Sequence, residues 1–136
     1  MPSTYIHFWV AADVAASGAF SLGSQAESDA YLCGNAAPDI HLLGGPARPA
    51  THFWEIGEPV PGRLGAARLL GAHPHLAAAR LDPVGRAFVA GYLCHLAVDE
   101  AWIRVVYLPF FGPETTVGGP EGIALQRAYY SVLERR

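Results

Sequence analysis

Two residues in the stretch GYLCHLAVDEAW have the types and spacing that bind a cation: His95 and Asp99, four positions apart. On a helix this spacing stacks both side chains on one face, one turn apart, so an imidazole nitrogen and a carboxylate oxygen reach a single ion. Three further polar residues sit in equally apolar surroundings, where an unpaired charge or imidazole is costly. They are His7 in YIHFWVAA, Asp39 after Pro38 in GNAAPDI, and His52 in THFWE. Nitrogen and carboxylate donors without a thiolate suit zinc first, then iron or manganese. The bland counterpart is a core histidine hydrogen-bonded to a carboxylate, because helical spacing alone often brings such pairs together.

Residues around this set qualify it. Gly91, one turn before His95, lets another backbone or a ligand approach closely, and Trp102 follows Asp99 on the same face as a wall. His41 stands where it can orient the Asp39 carboxylate. Glu55, three positions after His52, is a further candidate oxygen ligand if THFWE is helical. Glu100 points about 100° away from Asp99 on the helix and is expected in solvent or paired with Arg104. His73 and His75 form HPH, read as a solvated loop, and Arg48 and Arg104 are candidate phosphate-binding cations. The aromatic clusters Phe8 and Trp9, Phe53 and Trp54, and Tyr107, Phe110 and Phe111 are expected in the core, with an acyl-chain cleft as the alternative. Cys33 and Cys94 are expected to be buried free thiols. Cys94 faces away from His95 and no GxSxG elbow occurs, so nucleophilic triad chemistry finds no support.

The elements that must position these side chains are helical. TYIHFWVAADVAA, residues 4 to 16, reads as a helix capped by Ser3 or Thr4. SQAE at Ser24 to Glu27 is a capping box that opens a short helix to Cys33, closed by Gly34. Residues 34 to 50 carry repeated Gly and Pro and read as an ordered loop holding Asp39. A short helix or turn starts at Thr51, and a weaker amphipathic helix covers 62 to 72. Asp82 caps and Pro83 begins the longest element, about 83 to 107, closed by Pro109. A last helix is expected over 121 to 136. Alternating β-branched runs are missing, so the fold class is all-α: a compact bundle of about five helices around a metal site, in one domain over 1–136.

Composition narrows the function classes. The 136 residues are 51% hydrophobic and 15% charged, enough for one core and unlike a disordered segment. Net charge is −3, all nine basic residues are Arg, and none occurs before Arg48. General nucleic-acid binding needs a basic footprint that is missing here. No signal peptide and no membrane span is recognised, which makes a cytoplasmic location the expectation. An apolar surface on so short a bundle would favour homo-oligomers.

The order His7, GNAAPDI with Asp39, THFW with His52, and GYLCHLAVDEAW with His95 and Asp99 resembles the zinc-dependent phospholipase C family, related to the S1/P1 nucleases. The resemblance spans residues 7 to 102. It implies a metal-dependent hydrolase acting on a small-molecule or lipid phosphoester. It further implies that Asp39, His52, His95 and Asp99 hold one zinc and that Asp99 reaches a second zinc bound by His7. Asp39 would also be the catalytic base that orients the attacking water. Paired metals of this kind polarise a phosphoryl oxygen and turn water into hydroxide near neutral pH. Full-length members add two His and a Glu after the HxxxD helix for a third zinc, whereas His95 is the last histidine here. The resemblance therefore implies one or two metals in a short or truncated member.

Other classes compete with it. One is a non-catalytic helical module with a structural metal site or a buried His/Asp network. Another is an HD-type metallophosphohydrolase, against which the missing adjacent His-Asp doublet counts. A carboxylate-bridged di-iron oxidase would need paired ExxH helices, and HxxxD is not that motif.

Overall fold

The computed structural model of the chain describes residues 2–54, Glu58, 64–133 and Arg135, and among them there is helix but no strand. Five helices of nine or more residues make the bundle: α1 (Thr4–Ala16), α2 (Gln25–Ala36), α4 (Leu64–Ala72), α5 (Pro83–Trp102) and α7 (Pro120–Leu133). Two short helices join them, α3 (Arg48–His52) and α6 (Leu108–Phe111). The all-α class and the helix number expected from the sequence are those observed. No helix among the described residues is long and apolar enough to cross a membrane.

The caps follow local chemistry. Ser3 Oγ accepts from Ile6 N to start α1, and Asp82 Oδ1 accepts from Gly85 N at 2.7 Å to start α5. At α2, Ser24 Oγ accepts from Glu27 N, while the Glu27 carboxylate reaches Gly23 N instead of the cap residue's own amide. The capping box is therefore displaced by one residue at its return bond.

Gly34 does not end α2. It lies inside the helix, where any Cβ would strike the Phe88 carbonyl of α5, and a Cβ on Gly91 would strike the Tyr31 carbonyl of α2. Two bare backbones thus meet, and α2 with α5 is the most extensive packing in the fold. What Gly91 admits is a neighbouring backbone, not a ligand. Asp39 is consequently on a 3-10 segment (Ala37–Leu43) that continues straight from α2, not on an irregular loop. α3 begins at Arg48, three residues ahead of the expected start.

Pro109 does not close the long helix. After Trp102 the chain widens into a π turn, Ile103–Tyr107, and the Leu108 N–H bonds back to Ile103 O. That shift of the ladder lets Pro109, which has no N–H to give, sit in the first turn of α6.

The interior has an apolar half and a polar half. Ala11, Tyr31 and Ala87 form the apolar cluster, flanked by Phe20, Leu22 and Cys94. The polar half holds His7 from α1, Asn35 from α2, His52 from α3, and His95 and Asp99 from α5, all buried. Trp54 and Phe111 are in the core, but Trp9 and Phe110 are exposed, so the aromatic clusters are split between core and surface. Cys33 is also exposed, unlike the expected buried thiol, because it lies on the outer face of α2.

Candidate metal centre

His52 and His95 meet head to head, with their Nε2 atoms 3.2 Å apart. Each ring is held from behind by a backbone carbonyl. His95 Nδ1 donates to Asn35 O at 2.8 Å; His52 Nδ1 lies 3.3 Å from Arg48 O and 3.0 Å from the Thr51 hydroxyl, which donates its own proton to Arg48 O. With both protons on Nδ1, each Nε2 presents a lone pair to the other. A cation between them removes the repulsion: either a proton or a metal ion.

Two carboxylates complete the ring around that point. Asp99 Oδ2 lies 3.3 Å from His52 Nε2 and 3.8 Å from His95 Nε2. Asp39 Oδ1 lies 3.6 Å and 3.8 Å from the same atoms. Donors on a tetrahedral ion with arms of 2.0 to 2.1 Å stand about 3.3 Å apart, and each carboxylate taken with the two imidazoles comes near that spacing, at 3.2 to 3.8 Å. His7 joins from the other side, with Nε2 3.2 Å from Asp99 Oδ1 and its ring stacked on His95 at 3.8 Å between centroids. Asp99 Oδ1 and His7 Nδ1 are buried without a hydrogen-bond partner among the described residues. All five residues singled out in the sequence are thus brought together, in two overlapping groups that share His95.

Electrostatics prepares these donors. Burial, reinforced by the nearby His7, pushes the His95 pKa down to about 4, so its imidazole is neutral at pH 7. Burial would raise Asp99, yet the close imidazoles of His52 and His7 hold it well below the usual carboxylate range. Asp39 is lowered for the same reason, burial being outweighed by His52 and His95. His52 moves the opposite way: burial is overcome by Asp39 and Asp99, and its pKa rises. Asp39 is the carboxylate with access to solvent, its side chain 21% exposed against 1% for Asp99.

Several neighbours take other roles than expected. Arg48 Nη2 donates to Asp99 Oδ2 at 2.8 Å, and its guanidinium lies over the Trp54 ring. The candidate phosphate cation is therefore bound to the Asp99 carboxylate, while Arg104 is exposed on the π turn. His41 sets its ring edge-on to His52 and its Nδ1 on Pro38 O, so it supports the imidazole and not Asp39. Glu100 is buried, where it accepts from Gly65 N at the start of α4. His73 packs on His75 and on Phe53, and neither histidine belongs to the groups that could hold a metal. Glu55 lies outside the described residues. Asn35 and Thr51 were not picked out in the sequence; Asn35 acts through its main-chain carbonyl, which carries no side-chain signature.

Beside the centre, Tyr5, Ile6, Trp9, Trp102 and Leu133 line an apolar cleft of about 450 Å³. Comparison with protein-family models, curated proteins and solved structures gave no match.

Proposed function

We propose that the chain is a metal-dependent phosphoester hydrolase whose site resembles that of zinc-dependent phospholipase C. Asp39, His52, His95 and Asp99 hold one zinc, and Asp99 with His7 holds a second; iron or manganese suits the same donors. The observation that carries this reading is the approach of the two Nε2 atoms to 3.2 Å, each imidazole being fixed from behind by a backbone carbonyl. That arrangement is the usual support of a metal-binding histidine. Bound there, zinc supplies Lewis acidity at a phosphoryl oxygen and lowers the pKa of a water toward neutrality. Asp39, ionised and open to solvent, would be the base that orients the attacking water. Asp99 stays anionic inside the bundle, and His95 stays neutral with its lone pair available. A small-molecule or lipid phosphoester as substrate, a cytoplasmic location and self-association belong to the same reading.

Elemental analysis of protein purified without chelator tests it. One to two equivalents of zinc, iron or manganese are expected, lost in His95→Ala, together with a chelator-sensitive hydrolysis of a nitrophenyl phosphodiester. The absence of metal, with no change in stability on adding chelator, would sink it.

One observation favours a second reading. The Arg48 guanidinium already neutralises Asp99 at 2.8 Å, as it would in a non-catalytic module where a proton on His52 takes the metal's place. Proton release separates the two: zinc binding must displace that proton, which appears as a buffer-dependent binding enthalpy.

A further inference from the structure

Helix α7 carries more apolar surface than the bundle covers. Its inner row is Gly122, Gln126, Tyr130 and Leu133, at helical spacing. Gly122 lies against the Val117 and Phe111 carbonyls, Gln126 is buried, Tyr130 packs on Trp102 with 5.3 Å between ring centroids, and Leu133 lines the cleft that Trp9 also lines. A second row, Leu125, Ala128, Tyr129 and Val132, falls at i, i+3, i+4 and i+7 and faces solvent. Leu125, Tyr129 and Val132 are exposed by 48% to 56%. The two rows together take about half of the helix circumference, whereas a stripe of about 100° is enough to dock a surface helix on its own core. Scattered apolar side chains on a surface are ordinary; a continuous row of them marks a contact surface.

Charge says what covers it. The row is bordered by Glu121 in the first turn of α7 and by Arg135 in the turn that follows the helix, where Arg135 N bonds to Val132 O. Both are exposed, and neither has an ion-pair partner among the described residues. Arg127, the other charged residue of α7, is on the far side of the helix from Leu125. Glu121 and Arg135 each stand seven positions from Ala128. Turning a second copy end to end about a two-fold axis at Ala128 therefore sets Glu121 of each copy opposite Arg135 of the other. The same turn brings Leu125 to Val132 of the other copy and leaves the small Ala128 at the crossing, where the two backbones come closest. It also sets the two helix dipoles antiparallel. A lipid surface would want basic residues along both borders of the row, and Glu121 stands at one of them.

We propose that the outer row of α7 is the contact surface of a homodimer, in which two α7 helices pack antiparallel across a two-fold axis. This gives the self-association named above a surface, and it stands whether or not the centre binds a metal.

Sedimentation equilibrium of the full chain at micromolar concentration tests it. A species of twice the 14.5 kDa chain mass is expected. Leu125→Glu should give the monomer with an unchanged far-UV spectrum, because the side chain it replaces is half exposed; Val132→Ser, on the same row, repeats the test if Leu125→Glu does not fold. Glu121→Arg and Arg135→Glu should each weaken the dimer by roughly threefold to tenfold, since each turns two symmetric ion pairs repulsive, and the double variant should restore it. A monomeric parent overturns the proposal. So does a dimer that keeps its affinity in Leu125→Glu, or one weakened by both single reversals and not restored by the double. Flotation of a monomeric parent with phosphatidylcholine vesicles would assign the row to a lipid surface instead. Zinc content enters none of these outcomes, so failure of the metal reading is a separate result.

Discussion

His95 Nδ1 donates to the Asn35 carbonyl at 2.8 Å, so the last turn of α2 sets the imidazole of α5 in one tautomer and one orientation. The same burial that makes this bond possible keeps His95 neutral, with a pKa near 4 against about 6.5 in an unfolded chain.

That difference fixes a pH dependence for the metal-free protein. Between pH 4 and 6.5 the unfolded chain binds a proton at His95 that the folded chain refuses, so stability falls as pH falls through this window. The full effect is about 3 kcal/mol. His52 acts with the opposite sign, since its pKa is raised: its contribution is present below pH 6.5 and is lost as pH rises through its folded value. Urea denaturation in chelator should therefore show a stability maximum near pH 6.5. His95→Gln should flatten the acid limb between pH 4 and 6.5 and leave the alkaline limb in place. An unchanged acid limb would overturn the assignment.

Arg48 tests what neutralises Asp99. The carboxylate is buried and its Oδ2 takes the guanidinium at 2.8 Å. Arg48→Met removes the guanidinium from that buried charge and leaves it to the His52 and His7 imidazoles in metal-free protein, which should cost up to about 3–5 kcal/mol in urea denaturation. Zinc at a hundredfold excess over its dissociation constant adds about 2.7 kcal/mol to any protein that binds it only when folded. Zinc should therefore restore most of the loss in Arg48→Met. If zinc restores none of it, the buried network is the better account.

The convergence of His7, Asp39, His52, His95 and Asp99 was legible because each is a polar residue set in apolar sequence, where it must find a partner. The helices were legible from caps and periodicity, down to Ser3 and Asp82. What escaped is whatever depends on a distant segment. Gly34 reads as a stop signal, yet Phe88 of α5 packs on it and the helix runs through. Pro109 reads as a terminator, yet a π turn ahead of it moves the hydrogen-bond ladder by one residue. Glu100 reads as solvent-facing because nothing nearby in sequence reveals that the start of α4 lies over it. Arg48 lies 51 positions from its partner Asp99, and no local pattern links them.

Gly91 carries the geometry that joins fold to site. Its missing Cβ is the space occupied by the Tyr31 carbonyl, and Asn35, one turn further along α2, thereby reaches His95. Gly91→Ala must push the helices apart, an overpacking cost of about 1–3 kcal/mol. The melting temperature should drop by roughly 5–10 °C. Because the Asn35–His95 bond lengthens with it, zinc affinity should weaken too. A variant that melts lower but binds zinc as tightly would separate the packing from the site.

Glu100 provides the complementary case, a buried carboxylate beside the cluster that serves structure. Its Oε1 accepts from Gly65 N at 2.6 Å, which satisfies an amide in the first turn of α4 and places a negative charge at the positive end of that helix. Glu100→Ala leaves that buried amide without its partner, so unfolding should become easier by about 1–3 kcal/mol. Asp99 is its neighbour in sequence, yet the two side chains leave α5 in different directions, one toward α4 and one toward the imidazoles. Zinc stoichiometry in Glu100→Ala should therefore match the parent protein by elemental analysis. A loss of zinc without a loss of stability would move Glu100 into the metal site and displace Asp39 from its role as the second carboxylate.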